Sequence, residues 1–254
     1  MNYDGLEQSY WTSQIERVES LRSKISARAA ASAPIGRVIP DDDDLVIGTG
    51  RRLMLTVMFI DISKFSQRQS ITANEQELML RVLNLFFTEM IRIVEDYGGV
   101  VEKNTGDGLM AYFEDRPGEE PGNDSVKRAV ACSLTMRASN EYLISPILRA
   151  TGIPPLEFRT TMDHGAVTIA RIGAPQRFNA NVAIGNTANF AAKMLSLINP
   201  GDIAMGATAR ERLPLSWKTS WTQLSPISTG WVYAPNTSLP YPLYLYTGRW
   251  AKLI

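Results

Sequence analysis

The order of predicted elements makes this an α+β chain. It reads as a split βαβ, ferredoxin-like antiparallel sheet, βαββαβ, with helices packed on it. Three observations predict this. "RRLMLTVMFIDIS" (51–63) is a near-continuous apolar strand, as expected of a central strand covered on both faces. "ITANEQELMLRVLNLFFTEMIRIVEDYGG" (71–99) has the period of a long amphipathic helix. "VVEKNTGDGLMAYF" (100–113) reads as two strands about a Thr-Gly-Asp-Gly turn.

The elements follow in order. Residues 1–44 read as a separate region: an amphipathic helix with Leu6, Trp11, Ile15, Val18, Leu21 and Ile25 at helical spacing, then "ASAPIGRVIPDDDD", a proline-broken linker with a solvated acid run. The body, 45–206, opens with the strand that ends at Asp61. In the helix that follows, Thr72 and Glu75 form a capping box, Leu78, Val82, Phe86, Met90 and Ile93 make one stripe, and Gly98-Gly99 stops it. After the hairpin comes the loop "EDRPGEEPGN" and a second helix from about Asp124 to Tyr142. "LEFRTTMDHGAVTIARIG" is expected to be another hairpin turning near His164-Gly165. "AIGNTANFAAKMLSLINPGD" is a third helix and "IAMGA" a short strand. Residues 207–254, rich in Pro, Trp and Tyr, are expected to pack on the same domain as added strands and loops.

Bulk composition narrows the class. The 254 residues suffice for a buried core, and 44% apolar and 20% charged residues are ordinary for a soluble chain. Lys plus Arg and Asp plus Glu both number 26, so net charge calls for neither nucleic acid nor an anionic membrane. The single cysteine, Cys132, excludes an internal disulfide and fits a reducing cytoplasm; it lies in a helix-like run and reads as core. The N-terminus has no signal-peptide pattern, and no apolar run reaches the ~20 residues of a bilayer span. A cytoplasmic protein is expected.

The chemistry centres on two carboxylates. Asp61 alone would read as a helix N-cap at the end of a buried strand. Asp107 sits at the tip of a hairpin that this fold puts beside that strand, and two converging carboxylates repel unless a cation lies between them. Oxygen ligands without clustered His or Cys point to Mg²⁺ or Mn²⁺. Glycines on both sides of Asp107 let a phosphate approach the backbone. His164, the only histidine, reads as turn decoration, and Trp217, Trp221, Trp231 and Trp250 as packing.

Four stretches, "LTVMFIDISKFSQ", "VVEKNTGDGLMAYF", "RTTMDHGAVTIARIG" and "AIGNTANFAAKM", resemble in order and spacing the class III nucleotide cyclase catalytic domain, over about three-fifths of the chain. The resemblance implies a homodimer with two shared active sites and two divalent cations, Mg²⁺ or Mn²⁺. Asp61 and Asp107, with Ile62, would hold the metals in one chain. Ile62 and Phe65 would open a helix whose backbone faces the triphosphate. The partner chain would supply Lys103, Val182 and Ile184 to the base, Asn189 to the ribose and Lys193 to the phosphates. No side-chain nucleophile is needed, since the substrate's own 3′-oxygen attacks its α-phosphate.

The match departs from the purine-specific members at informative places. Lys103 stands where adenylate cyclases carry an adenine-reading lysine. The acid that accepts from the adenine amino group belongs seven residues before Asn189, at Val182, and a valine leaves that group unpaired at a cost of about 1–3 kcal/mol. A slip of one residue would substitute Asn181. Lys193 replaces an arginine and lacks its bidentate fork. Lys218 is a poor match to a phosphate-binding lysine. The pattern is most similar to the pyrimidine cyclases of bacterial anti-phage defence, which make cyclic UMP or cyclic CMP for an effector with a cyclic-nucleotide-binding domain. The alternatives are an atypical adenylate cyclase, or a degenerate domain retained as a regulatory module, against which the intact Asp61 and Asp107 argue.

Overall fold

The computed structural model describes residues 4–28, 50–68, 71–104, 106–116, 124–174, 178–233 and 238–251. The acid run 41–44 lies outside them. The first helix, α1 (Gln8–Arg28), precedes β1 (Gly50–Ile62), α2 (Ala73–Asp96), β2 (Val100–Asn104) and β3 (Gly108–Glu114). Then come α3 (Ser125–Ser139), a π turn, α4 (Ser145–Ala150), β4 (Phe158–Ala174), β5 (Phe178–Ile184) and α5 (Asn186–Met194). The chain continues through β6 (Ile203–Gly206), α6 (Ala207–Glu211), α7 (Leu215–Trp221), β7 (Thr222–Leu224) and β8 (Leu243–Tyr246).

The strands join in the order β2-β3-β1-β4-β6-β8-β7, with β5 on β4. Its first four members are the ferredoxin-like order that the sequence predicts. The apolar run of β1 is central: alternate residues serve opposite faces. Met58, Ile60 and Ile62 join Leu109, Phe113, Phe86, Met90, Ile93, Val130 and Leu134 beneath α2 and α3. Leu55 and Val57 join Met110, Tyr112, Val167, Ala188, Ala191 and Met194 under α5. The C-terminal strands β7 and β8 extend the sheet through β6. No helix of the described residues is long and apolar enough to cross a membrane.

Local signals mostly produce the elements they predict. The Thr72 side chain accepts from the Glu75 N–H and Glu75 answers at the Thr72 N–H, a complete capping box. Val82, Phe86, Met90 and Ile93 are buried, whereas Leu78, one turn in from the open end, is exposed. Trp11 and Val18 of α1 are buried and Ile15 is exposed. The predicted second helix does not end at Tyr142. It passes through a π turn (Asn140–Ile144) into α4, with Pro146 tolerated in the first turn of the new helix.

The expected hairpin at His164-Gly165 is absent. β4 is one strand that pairs with β1 from Ile62↔Phe158 to Gly50↔Ala170 and with β5 from Thr168↔Ile184 to Ala174↔Phe178. His164 is therefore buried in mid-strand, with Nδ1 3.2 Å from the Thr56 hydroxyl and Nε2 3.5 Å from Asp115. Burial holds its pKa below the ordinary value, opposed by Asp115. Cys132 is buried as expected, and burial pushes its thiol pKa up.

The first helix is fixed to α2 by polar contacts rather than by apolar area alone. Glu89, wholly buried, accepts from Gln14 at 2.8 Å and from Arg17 at 3.0 and 3.2 Å, and Tyr10 donates to Asp96 at 2.8 Å. Removing the guanidinium leaves a buried carboxylate with no opposite charge and only the neutral donors Gln14 and Ser139. Arg17→Ala should therefore lower unfolding free energy by about 3 kcal/mol in urea titration. A loss below ~0.5 kcal/mol would mean that the Gln14 and Ser139 donors suffice for Glu89 without the guanidinium.

Candidate active site

The end of β1 and the tip of the β2–β3 hairpin meet. Asp61 lies opposite Gly108 in the ladder, and the Ile62 N–H donates to the Asp107 carbonyl at 2.8 Å. The turn is shaped by its own residues: the Asn104 side chain accepts from the Gly106 N–H at 2.8 Å, and Gly106 takes φ 98°, a conformation that a Cβ would strain. Asp61 and Asp107 are thus on neighbouring backbone segments, as the sequence predicts. The Asp107 carboxylate carries no hydrogen bond or ion pair among the described residues. By alternation Asp61 shares the face of Leu55 and Val57, on which α5 packs.

Asp61 has a partner that sequence reading missed. Arg159 stands directly opposite it on β4 and holds Oδ2 with Nε at 2.9 Å and Nη2 at 2.8 Å. Its Nη1 reaches the Ile198 carbonyl at 3.3 Å. Both side chains are about three-quarters buried, at 26% and 21% exposed, so this pair is less screened than a surface one. Oδ1 of Asp61 has no protein partner among the described residues. The only available signal was the arginine opening "RTTMDHGAV", and no sequence period announces a cross-strand partner.

The predicted helix after Asp61 shrinks to a single 3-10 turn, Phe65–Gln67, because α2 waits for its cap at Thr72. Its entry is tight: Lys64 takes φ 56°, alone among the described non-glycine residues in having a positive φ. The Ile62 N–H is used by Asp107 and the Ser63 N–H by the Glu157 carbonyl at 2.8 Å, so neither is open to a phosphate. Ile62 is buried and Phe65 half-buried.

The remaining predicted residues lie elsewhere. An irregularity between Val101 and Lys103 makes Glu102 the extra residue of β2, so that Lys103 pairs with Met110. Met110 belongs to the α5-side cluster, and exposed Lys103 therefore shares that face. Val182 lies opposite Ala170, and Ile184 opposite Thr168, whereas intervening Ala183 packs with the α5-side cluster. Val182 and Ile184 thus alternate to the other face. Between β2 and β5 lie four strand steps of roughly 20–25° twist each, which turns the two edges strongly relative to one another. No hydrogen bond joins Lys103 to Val182 in one chain. The side chain of Asn181 lies outside those described.

On α5, Asn189 and Lys193 are both exposed and one turn apart, on the side away from Ala188, Ala191 and Met194. Gly185 begins the helix at φ 151°, with no side-chain cap. No hydrogen bond or ion pair links Asn189 or Lys193 to Asp61 or Asp107 among the described residues. Lys218 is committed to Glu211 at 3.0 Å. Trp217 packs between Tyr246 and Trp250 and Trp231 on Phe190, as expected of packing residues; Trp221 is exposed.

A central strand ending in one acid, a hairpin tip carrying another and a ferredoxin-like frame define a nucleotide cyclase catalytic domain. Residues 50–228 match the family "Adenylate and Guanylate cyclase catalytic domain", and the chain belongs to that family. An adenylate cyclase of Anabaena cylindrica is 24% identical over 157 residues, which cover 61% of this chain and 29% of that protein. A uridylate cyclase of Rhodovulum sp. (strain MB263) is 24% identical over 181 residues, covering 68% of this chain and 70% of that protein. Among solved structures, the adenylyl cyclase CyaB from P. aeruginosa matches with a TM-score of 0.63 at 27% identity, over 81% of this chain and all of that one. The chain spans less than a third of the length of the Anabaena relative.

Proposed function

We propose that two copies of this chain form a cytoplasmic pyrimidine nucleotide cyclase. It converts UTP or CTP to 3′,5′-cyclic UMP or cyclic CMP plus pyrophosphate. The observation that carries the pyrimidine reading is Val182, an apolar side chain seven residues before Asn189, where an adenine reader needs an acceptor. Similarity to a uridylate cyclase along most of both chains supports it. The product would be a second messenger of bacterial antiviral defence, read by a separate cyclic-nucleotide-binding effector.

The residues fit a pair of hard divalent cations, Mg²⁺ or Mn²⁺. The Asp107 carboxylate and Oδ1 of Asp61 have no protein partner among the described residues, the Ile62 carbonyl adds a third oxygen, and no thiol or imidazole competes. Bound there, such ions supply Lewis acidity to the 3′-hydroxyl and charge neutralisation to the phosphates. The 3′-hydroxyl gives up its proton to solvent as its oxygen bonds to the α-phosphorus. The bond from the α-phosphorus to the oxygen bridging to the β-phosphate breaks, so that pyrophosphate leaves.

The chain's own residues orient and neutralise. Asn189 holds the ribose and Lys193 meets charge on the transferring phosphate, both from the partner chain. Arg159 is balanced against Asp61 until substrate charge competes for it. Lys103, on the face of α5, approaches the edge of the base, whereas Val182 and Ile184, on the other face of β5, offer an apolar surface in place of an acceptor.

One observation favours a second reading. The extra residue at Glu102 turns Lys103 to the face of α5, where a lysine could read adenine in an atypical adenylate cyclase. Incubating the purified chain with Mn²⁺ and ATP, GTP, CTP or UTP separately, with products identified by mass, decides between them. Cyclic UMP or cyclic CMP is expected. Cyclic AMP as the main product would establish the second reading, and no cyclic product from a folded dimer would leave a regulatory binding module.

A further inference from the structure

The described chain continues past the family match at residue 228, and its later part folds back over α5. Trp231 stacks on Phe190 with ring centroids 4.8 Å apart and planes 6° from parallel. Tyr241 lies against the same ring at 4.9 Å, and Tyr233 meets Tyr241 edge-on at 4.8 Å. The backbone fixes this arrangement. The Tyr241 N–H donates to the Trp231 carbonyl at 2.7 Å and the Tyr233 N–H to the Leu239 carbonyl at 2.9 Å.

The aromatic group is anchored in the sheet. The Tyr241 hydroxyl lies 2.8 and 2.9 Å from the two carboxylate oxygens of buried Asp163 on β4, and Thr208 donates to Asp163 at 2.7 Å. Burial pushes the Asp163 pKa up to about 6, and its neighbours' hydrogen bonds oppose that rise.

Phe190 occupies a sensitive place. It follows Asn189 directly and precedes Lys193 by three residues, so it lies on the flank of α5 beside the face those two present. The helix has only nine residues, no side-chain cap at its start, and two alanines among its sheet-facing residues Ala188, Ala191 and Met194. Small side chains fix the height of a helix over a sheet better than its rotation about its own axis. Phe190 is the broad lever that can fix the rotation, and the rings stacked against it come from beyond the family match.

We propose that Trp231 and Tyr241 bracket Phe190 and thereby set the orientation of α5, making Trp231 a positioning residue for Asn189 and Lys193. The kinetic consequence rests on the cyclase reading above; the anchoring of the helix does not. A misplacement of about 1 Å is enough to cost ~100-fold in rate.

The test compares full-length Trp231→Ala and Trp231→Phe with the parent chain. Trp231→Ala should lower kcat about tenfold or more, with KM for the preferred triphosphate within about twofold, and Trp231→Phe should restore most of it. Amide exchange followed by mass spectrometry should quicken in 186–194 for the alanine variant, with α2 unchanged. A kcat within about twofold of the parent, or unaltered exchange in α5, overturns the proposal. Faster exchange in α2 as well also overturns it, since the bracket would then be general packing. If the parent turns over no triphosphate, the cyclase reading has failed and α5 exchange alone decides the bracket.

Discussion

Asp107→Ala is expected to lower cyclisation by about a thousandfold or more while leaving the fold unchanged. The asymmetry between the two acids makes the test sharp. The Asp107 carboxylate has no protein partner among the described residues, and the bond from the Ile62 N–H goes to its backbone carbonyl, so the substitution takes no side-chain contact from the folded state. Asp61→Ala removes the partner of Arg159 and leaves a guanidinium about three-quarters buried beside an apolar sheet. That variant should lose comparable activity and in addition about 1–2 kcal/mol of stability. Asp61→Asn, which keeps the shape and an acceptor for Arg159, should recover the stability but not the rate. Kinetics across a Mn²⁺ titration, alongside thermal melts, read both quantities. An unchanged rate in either alanine variant at saturating Mn²⁺ would remove paired-metal catalysis.

Mixing two inactive variants should restore turnover. If Asp61 and Asp107 of one chain work with Asn189 and Lys193 of the other, Asp107→Ala and Lys193→Ala chains form heterodimers with one intact site and one doubly damaged site. Random pairing makes half of all dimers mixed, each with half its sites whole, so about a quarter of parental activity should return. The structure makes this test meaningful because neither α5 residue bonds to either acid within one chain. Mass spectrometry of the mixture must show the heterodimer. Heterodimers without activity would put the whole site in a single chain.

The sequence carried the local part of this fold clearly and its long-range part less so. The capping box at Thr72 and Glu75, the stripe of α2 and the buried run of β1 depend on neighbours within a turn or along one strand, and their spacing states the result. His164 misled because Thr160, Thr161 and Asp163 interrupt the apolar pattern and Gly165 suggests a turn. What holds β4 straight is thirteen paired positions with β1, which no local window contains. The extension of the second helix past Tyr142 was hidden in the same way, since a π turn breaks the 3.6-residue period without ending the helix.

The candidate site follows the same division. The neighbouring placement of Asp61 and Asp107 was legible because a strand end and a hairpin tip have recognisable signatures. Ile62 came from the family resemblance alone, and its N–H is taken by the Asp107 carbonyl. Arg159 was not, because its role depends on which residue lies across the ladder. Lys103 was noticed for its place in the motif, but its direction is set by one unpaired residue in β2, and irregularities of that kind leave no mark in the sequence. Val182 and Ile184 reach the other face by simple alternation, and the proposed base-reading group therefore depends on how a second copy would meet that face.

The contacts at the two ends of the chain alter what counts as the domain. Trimming to residues 50–228 would follow the boundary of homology. It would take Gln14 and Arg17 from the buried carboxylate of Glu89, and Trp231 and Tyr241 from Phe190. The unit that the family match spans is smaller than the unit that these contacts hold together. One flank is secured by charge and the other by stacked rings, and a fragment cut at the shared boundary would keep both acids while losing the supports that hold its frame.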